Sequence, residues 1–366
     1  MDIKVSSLSQ QPYQASLVRV RYADPNPEGP GVKLENIPSS WEGTYPSREQ
    51  KFFPGSYGRV DSTGSLCRLE DFSALITLWP TRPGSGEQTL ISHQDSTSGW
   101  SLFLDDEGCL AAELGKAGDT RKFRLEGSLR ERKWYQAWLT YDAQTSKLTL
   151  GKAILDPGLK SEDQTGSSSD YAFESVSQEI PFLIGAQFSG PIDSHFNGKL
   201  EEPKIFSRSL DQQEIEQAFS GKIPDGLLAR WDFSREIPTS RMIDLGPENL
   251  EGSLVNCPAR GMTGSNWKAK EMCWRHAPED YGAIHFHEDD IYDFGWETDF
   301  TIHLGEDLRS GIYAVKLECE GNEDFIPLFV LPARGKRKAD LCVLVSTFTY
   351  TVYGNHARPD FKDCWR

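Results

Sequence analysis

The chain has 366 residues, 39 Lys+Arg against 55 Asp+Glu, and a formal charge of −16 at pH 7. That balance argues against a nucleic-acid partner, because gripping phosphates needs clustered cations. No window reaches the ~18 uninterrupted apolar residues of a membrane helix. The opening Met1-Asp2-Ile3-Lys4-Val5-Ser6 lacks the charged-then-apolar order of a signal peptide, so a cytoplasmic location away from membranes is expected. The seven cysteines are odd in number, scattered and never spaced Cys-x-x-Cys, which predicts reduced thiols in place of a disulfide framework or a zinc site.

In chain order, Leu17 to Tyr22 alternates Val18 and Val20 with Arg19 and Arg21, the pattern of a half-buried antiparallel strand. From Phe72 to Gly185, short β-type runs recur about every ten residues, including Phe72 to Trp79, Trp100 to Leu104, Trp134 to Tyr141 and Lys147 to Leu150. Short strands with turn punctuation predict a sandwich or barrel. The polar stretch from Asp156 to Gln178 reads as a surface loop.

After Phe196 to Phe206 comes one convincing helix. Asp211 and Glu214 form a capping-box pattern, Ile215, Ala218 and Phe219 share a face, and Gly221 supplies the stop before a strand at Leu227 to Phe233. This order, carried by "FNGKLEEPKIFSRSLDQQEI", resembles a laminin-G-like or concanavalin-A-like jelly roll. Gly311 to Glu318 and Phe325 to Val330 are further strands.

The expected fold is therefore mostly β. Residues 1–60 with 268–333 form a small sandwich, and residues 61–267 form an inserted jelly roll. Arg334-Gly335-Lys336-Arg337-Lys338 reads as a solvated linker. The apolar run Leu341-Cys342-Val343-Leu344-Val345 then predicts a parallel strand buried on both faces, the first piece of an incomplete α/β domain over 339–366. One such strand needs neighbours, from another chain or from more of this one.

Familiar catalytic signatures are absent: no Gly-x-Ser-x-Gly elbow, phosphate loop, Gly-x-Gly-x-x-Gly or His-Glu-x-x-His. His285 and His287 fall on one strand face by the period of two, with Glu288, Asp289 and Asp290 just beyond, so they are metal candidates or simply a strand running into an acidic turn. Glu201-Glu202 and Asp105-Asp106-Glu107 offer calcium-type oxygens, although Asp105-Asp106-Glu107-Gly108 reads better as a hairpin turn. Trp100 and Trp134 are either a sugar-stacking face or core. Tyr350 and Tyr353 follow the presumed parallel strand, where α/β sheets place their crevices, and a phenolate there becomes a hard ligand beside a Lewis-acidic ion such as Fe³⁺.

The runs YADPNPEGPG (22–31), ARWDFSREI (229–237), VNCPARGMTGSNW (255–267), RHAPEDYGAIHFHEDDIYDFGWETDF (275–300), DLRSGIYAVKL (307–317) and TFTYTVYGNH (347–356) resemble the large, or beta, subunit of the N,N-dimethylformamidase family. The resemblance implies an iron-dependent amidohydrolase acting on a small N-substituted formamide or amide, with iron held by two tyrosines and one glutamate. It also implies a small partner subunit and a homo-oligomer. By position Tyr350, or failing it Tyr353, would be one of those ligands, and the others are absent from this chain. On that reading the chain alone is inactive until another chain supplies the remaining catalytic half. The rival expectation is a non-catalytic jelly-roll module that binds carbohydrate or protein.

Overall fold

The computed structural model describes the whole chain except residues 25, 27, 62, 63, 306, 307, 336–338 and 354–366. It divides into two compact units, residues 1–51 with 296–366 and residues 52–295.

In the first unit both ends of the chain contribute strands. Tyr13–Ala23 pairs antiparallel with Gly311–Cys319, Val32–Ile37 and Gly43–Tyr45, and Gly311–Cys319 pairs on its other side with Asn322–Val330. Asp2–Ile3 pairs separately with Phe300–Thr301. Tyr13, Ala15 and Leu17 alternate inward to meet Tyr313, Val315 and Leu317 in a core closed by Trp41 and Phe300. Neither flank holds this core alone.

The second unit is an antiparallel ladder folded into two layers. One layer contains Gln88–Gln94, Gly99–Leu104 and Cys109–Lys116. The other contains Phe72–Pro80, Tyr135–Asp142, Lys147–Ile154 and Gly198–Phe206. Alternate residues of both layers, among them Ile76, Leu78, Trp100, Leu102 and Leu150, interleave in one core. Phe72–Pro80 is apolar at successive positions because its other face is covered too: Leu75 packs with Trp138 and Phe206 under the helix Gln212–Phe219, through Ile215 and Ala218. The capping box forms in both directions. The Glu214 amide donates to Asp211 Oδ1 at 2.8 Å, and the Asp211 amide donates to Glu214 Oε2 at 3.1 Å. Gly221 ends this turn at a φ of +86°.

Three expectations are corrected. The expected division at 60/61 and 267/268 falls instead at 51/52 and 295/296. Tyr57–Val60 pairs with Phe182–Ile184 and Gly252–Val255, and Ala283–Phe286 pairs with Gly198–Phe206, so both belong to the jelly-roll ladder. The stretch from Asp156 to Gln178 includes an edge strand, Gln164–Ser168, on Lys147–Ile154 and buries Tyr171, whose carbonyl accepts from Tyr141 Oη at 3.0 Å. Small polar residues hid it, since an edge strand is held by backbone bonds and shows no apolar alternation.

The run Leu341 to Val345 is not a strand. It has no sheet neighbour among the described residues, and Leu344 is 96% exposed. A short helix, Thr347–Tyr353, follows it where a strand-end loop was expected, so the described residues of this segment build no α/β layer. Among the described residues no helix is long and apolar enough to cross a membrane.

Candidate functional site

A group of interacting polar side chains of the second unit lies on the outer face of the layer built around Gly198–Phe206. Leu200 and Ile205 point into the core, so Lys199 and Glu201 point away from it. Register places Trp79 and His285 on either side of Lys199. The Lys199 ammonium stands 4.8 Å from the Trp79 ring centroid and 5.9 Å from that of Trp134, and it donates to Thr263 Oγ1 at 2.8 Å. Burial holds this amine below its ordinary pKa. Trp134 is thus half-covered by a lysine, whereas Trp100 is core.

The structure brings His285 and His287 together, with ring centroids 4.1 Å apart. Their environments differ. Burial first, then the neighbouring His287 and Lys199, pushes His285 down to about 4, and its buried Nε2 has no hydrogen-bond partner among the described residues. His287 is held above its ordinary value, chiefly by Asp290, whose Oδ2 lies 3.2 Å from His287 Nδ1. Ser56 Oγ donates to the same Asp290 oxygen at 2.7 Å. Activating a serine requires the imidazole between carboxylate and hydroxyl. Here the carboxylate lies between them, and Ser56 is fully buried. The arrangement orients His287 and favours its protonated form, and it leaves Ser56 inert. Its neighbours also close the entrance and exit of the unit: the Gly55 amide donates to the Asp290 carbonyl at 2.7 Å, and the Ser56 amide to that of His287 at 2.9 Å.

One cluster escaped the sequence. Lys204 is 1% exposed, burial lowers its amine from the ordinary value, and its Nζ donates to Glu202 Oε2 at 2.7 Å; the Arg230 Nε donates to Glu202 Oε1 at 2.6 Å. The cluster exists because the ladder slips between Glu201 and Lys204, with Glu202 at a φ of +47°. The available signal was Pro203, since proline inside a paired strand marks an edge or a bulge. Beside it, Glu201, Glu202, Arg230, Asp232, Asn266 and Glu279 line a cavity of about 240 Å³. Burial raises the Glu201 carboxyl, which still accepts from the Ser265 amide at 3.0 Å. Asp105 closes the expected hairpin turn, its Oδ1 accepting from the amides of Glu107 and Cys109 at 3.0 and 2.9 Å.

Tyr350 and Tyr353 belong to the other unit, on the helix Thr347–Tyr353. The Tyr350 ring meets Phe329 edge-on at 5.1 Å and is 49% exposed; the Tyr353 side chain lies outside the described residues. No group of three or more His, Cys, Asp or Glu side chains is arranged to hold a metal ion among the described residues. Iron needs several fixed ligands together, and these residues do not make such a site.

Comparison with known proteins gives one match within the second unit and one that runs across both units. Residues 259–365 match the pattern of the "N,N-dimethylformamidase beta subunit-like, C-terminal" family, and residues 54–216 that of the concanavalin A-like lectin/glucanases superfamily. The IT-sialidase CBM40 of Ruminococcus gnavus aligns at a TM-score of 0.38 with 17% identity, covering 47% of this chain and 96% of that one. The N,N-dimethylformamidase beta subunit of Paracoccus aminophilus is 36% identical over 94% of this chain and 48% of its own length. That of an Alcaligenes species is 35% identical over the same shares. The chain spans about half the length of these curated relatives, and across nearly all of its own length, through both structural units, it is similar to the N,N-dimethylformamidase beta subunit.

Proposed function

We propose that this chain is the β scaffold of an amide hydrolase related to dimethylformamidase, cleaving a small N-substituted formamide or amide to acid and amine. The observation that supports this reading is the extent of the sequence match, 94% of the chain, far more than a shared jelly roll would give. The described side chains supply no complete set of nucleophile, base and electrophile. The chain's part is therefore to build and position, and the chemistry is completed by residues that the longer relatives add or by a small partner subunit, in a homo-oligomeric assembly. Iron remains the cofactor that the resemblance implies. Tyr350 or Tyr353 would give it one phenolate, and no step is assigned through it.

A chimera tests the proposal. In the Paracoccus aminophilus beta subunit, the aligned segment is replaced by this chain, and amine release from formamide, N-methylformamide and N,N-dimethylformamide is measured after native mass spectrometry confirms assembly. Release from at least one N-substituted formamide is expected. An assembled chimera that releases amine from none of them overturns the reading. A second reading, a carbohydrate-binding module, is favoured by the Trp79–Lys199–Trp134 face alone; saturable glycan binding abolished by Trp134→Ala would support it.

A further inference from the structure

The core-facing side of Tyr13–Ala23 does not remain apolar. Tyr13, Ala15 and Leu17 face the core of the first unit, and the period of two carries Arg19 and Arg21 onto that same side. Arg19 stands opposite Tyr313, its guanidinium carbon 5.7 Å from the ring centroid, and donates to the Ser310 carbonyl at 3.4 Å. Arg21 is the extra residue of a bulge, since Val20 pairs with Leu34 and Tyr22 already pairs with Lys33; its Nε donates to Glu35 Oε2 at 2.6 Å.

Beside these arginines lies a cavity of about 640 Å³. Its apolar wall is Leu17, Ile37, Trp41, Leu308 and Tyr313, and its polar wall is Arg19, Arg21, Arg309 and His303. Glu35 is the one carboxylate among the described lining residues, so three guanidiniums less one carboxylate leave two positive charges, in a chain of net charge −16. Arg309 has no ion pair among the described residues. The volume lies within the range of ordinary small-molecule sites.

The geometry points to this cavity as a binding site for a small carboxylate with an apolar or aromatic body: the carboxylate meets the guanidiniums in the bidentate manner they favour, and the body lies along Trp41 and Tyr313. A neutral ligand would leave the arginines unexplained, and a bare inorganic anion would leave the aromatic wall unexplained. The inference does not depend on the hydrolase reading, because it uses none of the residues discussed there. Glu306 and Asp307, between Gly305 and Leu308, lie outside the described residues.

The test titrates the full chain with benzoate and with its neutral isostere benzamide, followed by ligand-observed NMR and calorimetry at low and high salt. Saturable benzoate binding is expected, with benzamide weaker by about tenfold or more, as befits hydrogen bonds to a charged group. Arg309→Gln should lose most of that preference while leaving the unfolding midpoint unchanged, and raised salt should weaken benzoate alone. Equal binding of the two probes, no saturable benzoate binding, or an unchanged preference in both Arg309→Gln and Arg21→Gln overturns the proposal. A Glu306→Gln/Asp307→Asn double variant that binds benzoate when the parent does not also overturns it, because the guanidiniums are then occupied by the chain's own carboxylates.

Discussion

At the residue scale, the two adjacent histidines show how burial and a single carboxylate separate identical side chains. His285 is held neutral down to about 4 by burial, against an ordinary 6.5. Unfolding lets it take a proton below that ordinary value, so its contribution is fully present above pH 6.5 and is lost as pH falls toward 4. His287 has the opposite sign. Asp290 raises it, so its contribution is complete below the unfolded pKa and is lost as pH rises through the folded one. In an NMR titration, His285 should change charge near 4 and His287 above 6.5, and Asp290→Asn should bring His287 down while moving His285 little. Both rings titrating together between pH 6 and 7 would contradict the assigned environments. The period of two put both histidines on one face from sequence alone, but the carboxylate that distinguishes them became visible only with the turn at 287–290. Lys204 was hidden for a related reason: a bulge reverses which residues of a strand are buried, and no alternation pattern carries that information except through Pro203.

At the element scale, strands were legible wherever one face is apolar, and the helix Gln212–Phe219 was legible from its capping box and its stop glycine. The elements that escaped are held by backbone pairing, as at Gln164–Ser168. The run Leu341 to Val345 failed in the opposite direction: its composition suits a strand buried on both faces, but composition cannot supply the neighbouring strand. How closely one element can approach another is also unreadable from pattern. Gly151 stands opposite Trp138, and a Cβ built on it would lie 2.1 Å from the indole ring. The glycine lets the indole lie flat across the sheet beneath Ile215 and Ala218. Gly151→Ala should therefore destabilise the protein by roughly 1–3 kcal/mol, because the ring must move into an already filled layer. Gly43→Ala is the control. A Cβ there meets open space, and the change should stay within about 0.5 kcal/mol. Chemical denaturation of the two variants decides the matter, and equal midpoints would mean that the indole has room to move.

For the whole molecule, the expected boundaries differ from the observed ones because the segments lying between them include strands whose partners lie far away in sequence. Tyr57–Val60 finds Gly252–Val255, and Ala283–Phe286 finds Gly198–Phe206. Local pattern shows that such segments are strands and says nothing about which sheet they join. The pairing that places them also makes residues 52–295 self-sufficient. The unit has its own core of Trp100, Phe182 and Trp231, and its ends meet through Gly55 and Asp290 and through the edge-on contact of Phe52 with Phe294 at 4.9 Å. Adjacent ends are what allow one domain to be inserted into another without opening the host. The first unit is the reverse case, for its central strands Tyr13–Ala23 and Gly311–Cys319 come from opposite ends of the chain. Residues 52–295 expressed alone should therefore unfold in one cooperative transition and keep the His287–Asp290 titration of the full chain, whereas residues 1–51 alone should show no transition. Calorimetry of the two fragments beside the full chain measures this. A 52–295 fragment without a cooperative transition would mean that the jelly roll borrows its stability from the flanking unit, and the two would then have to be treated as one folding body.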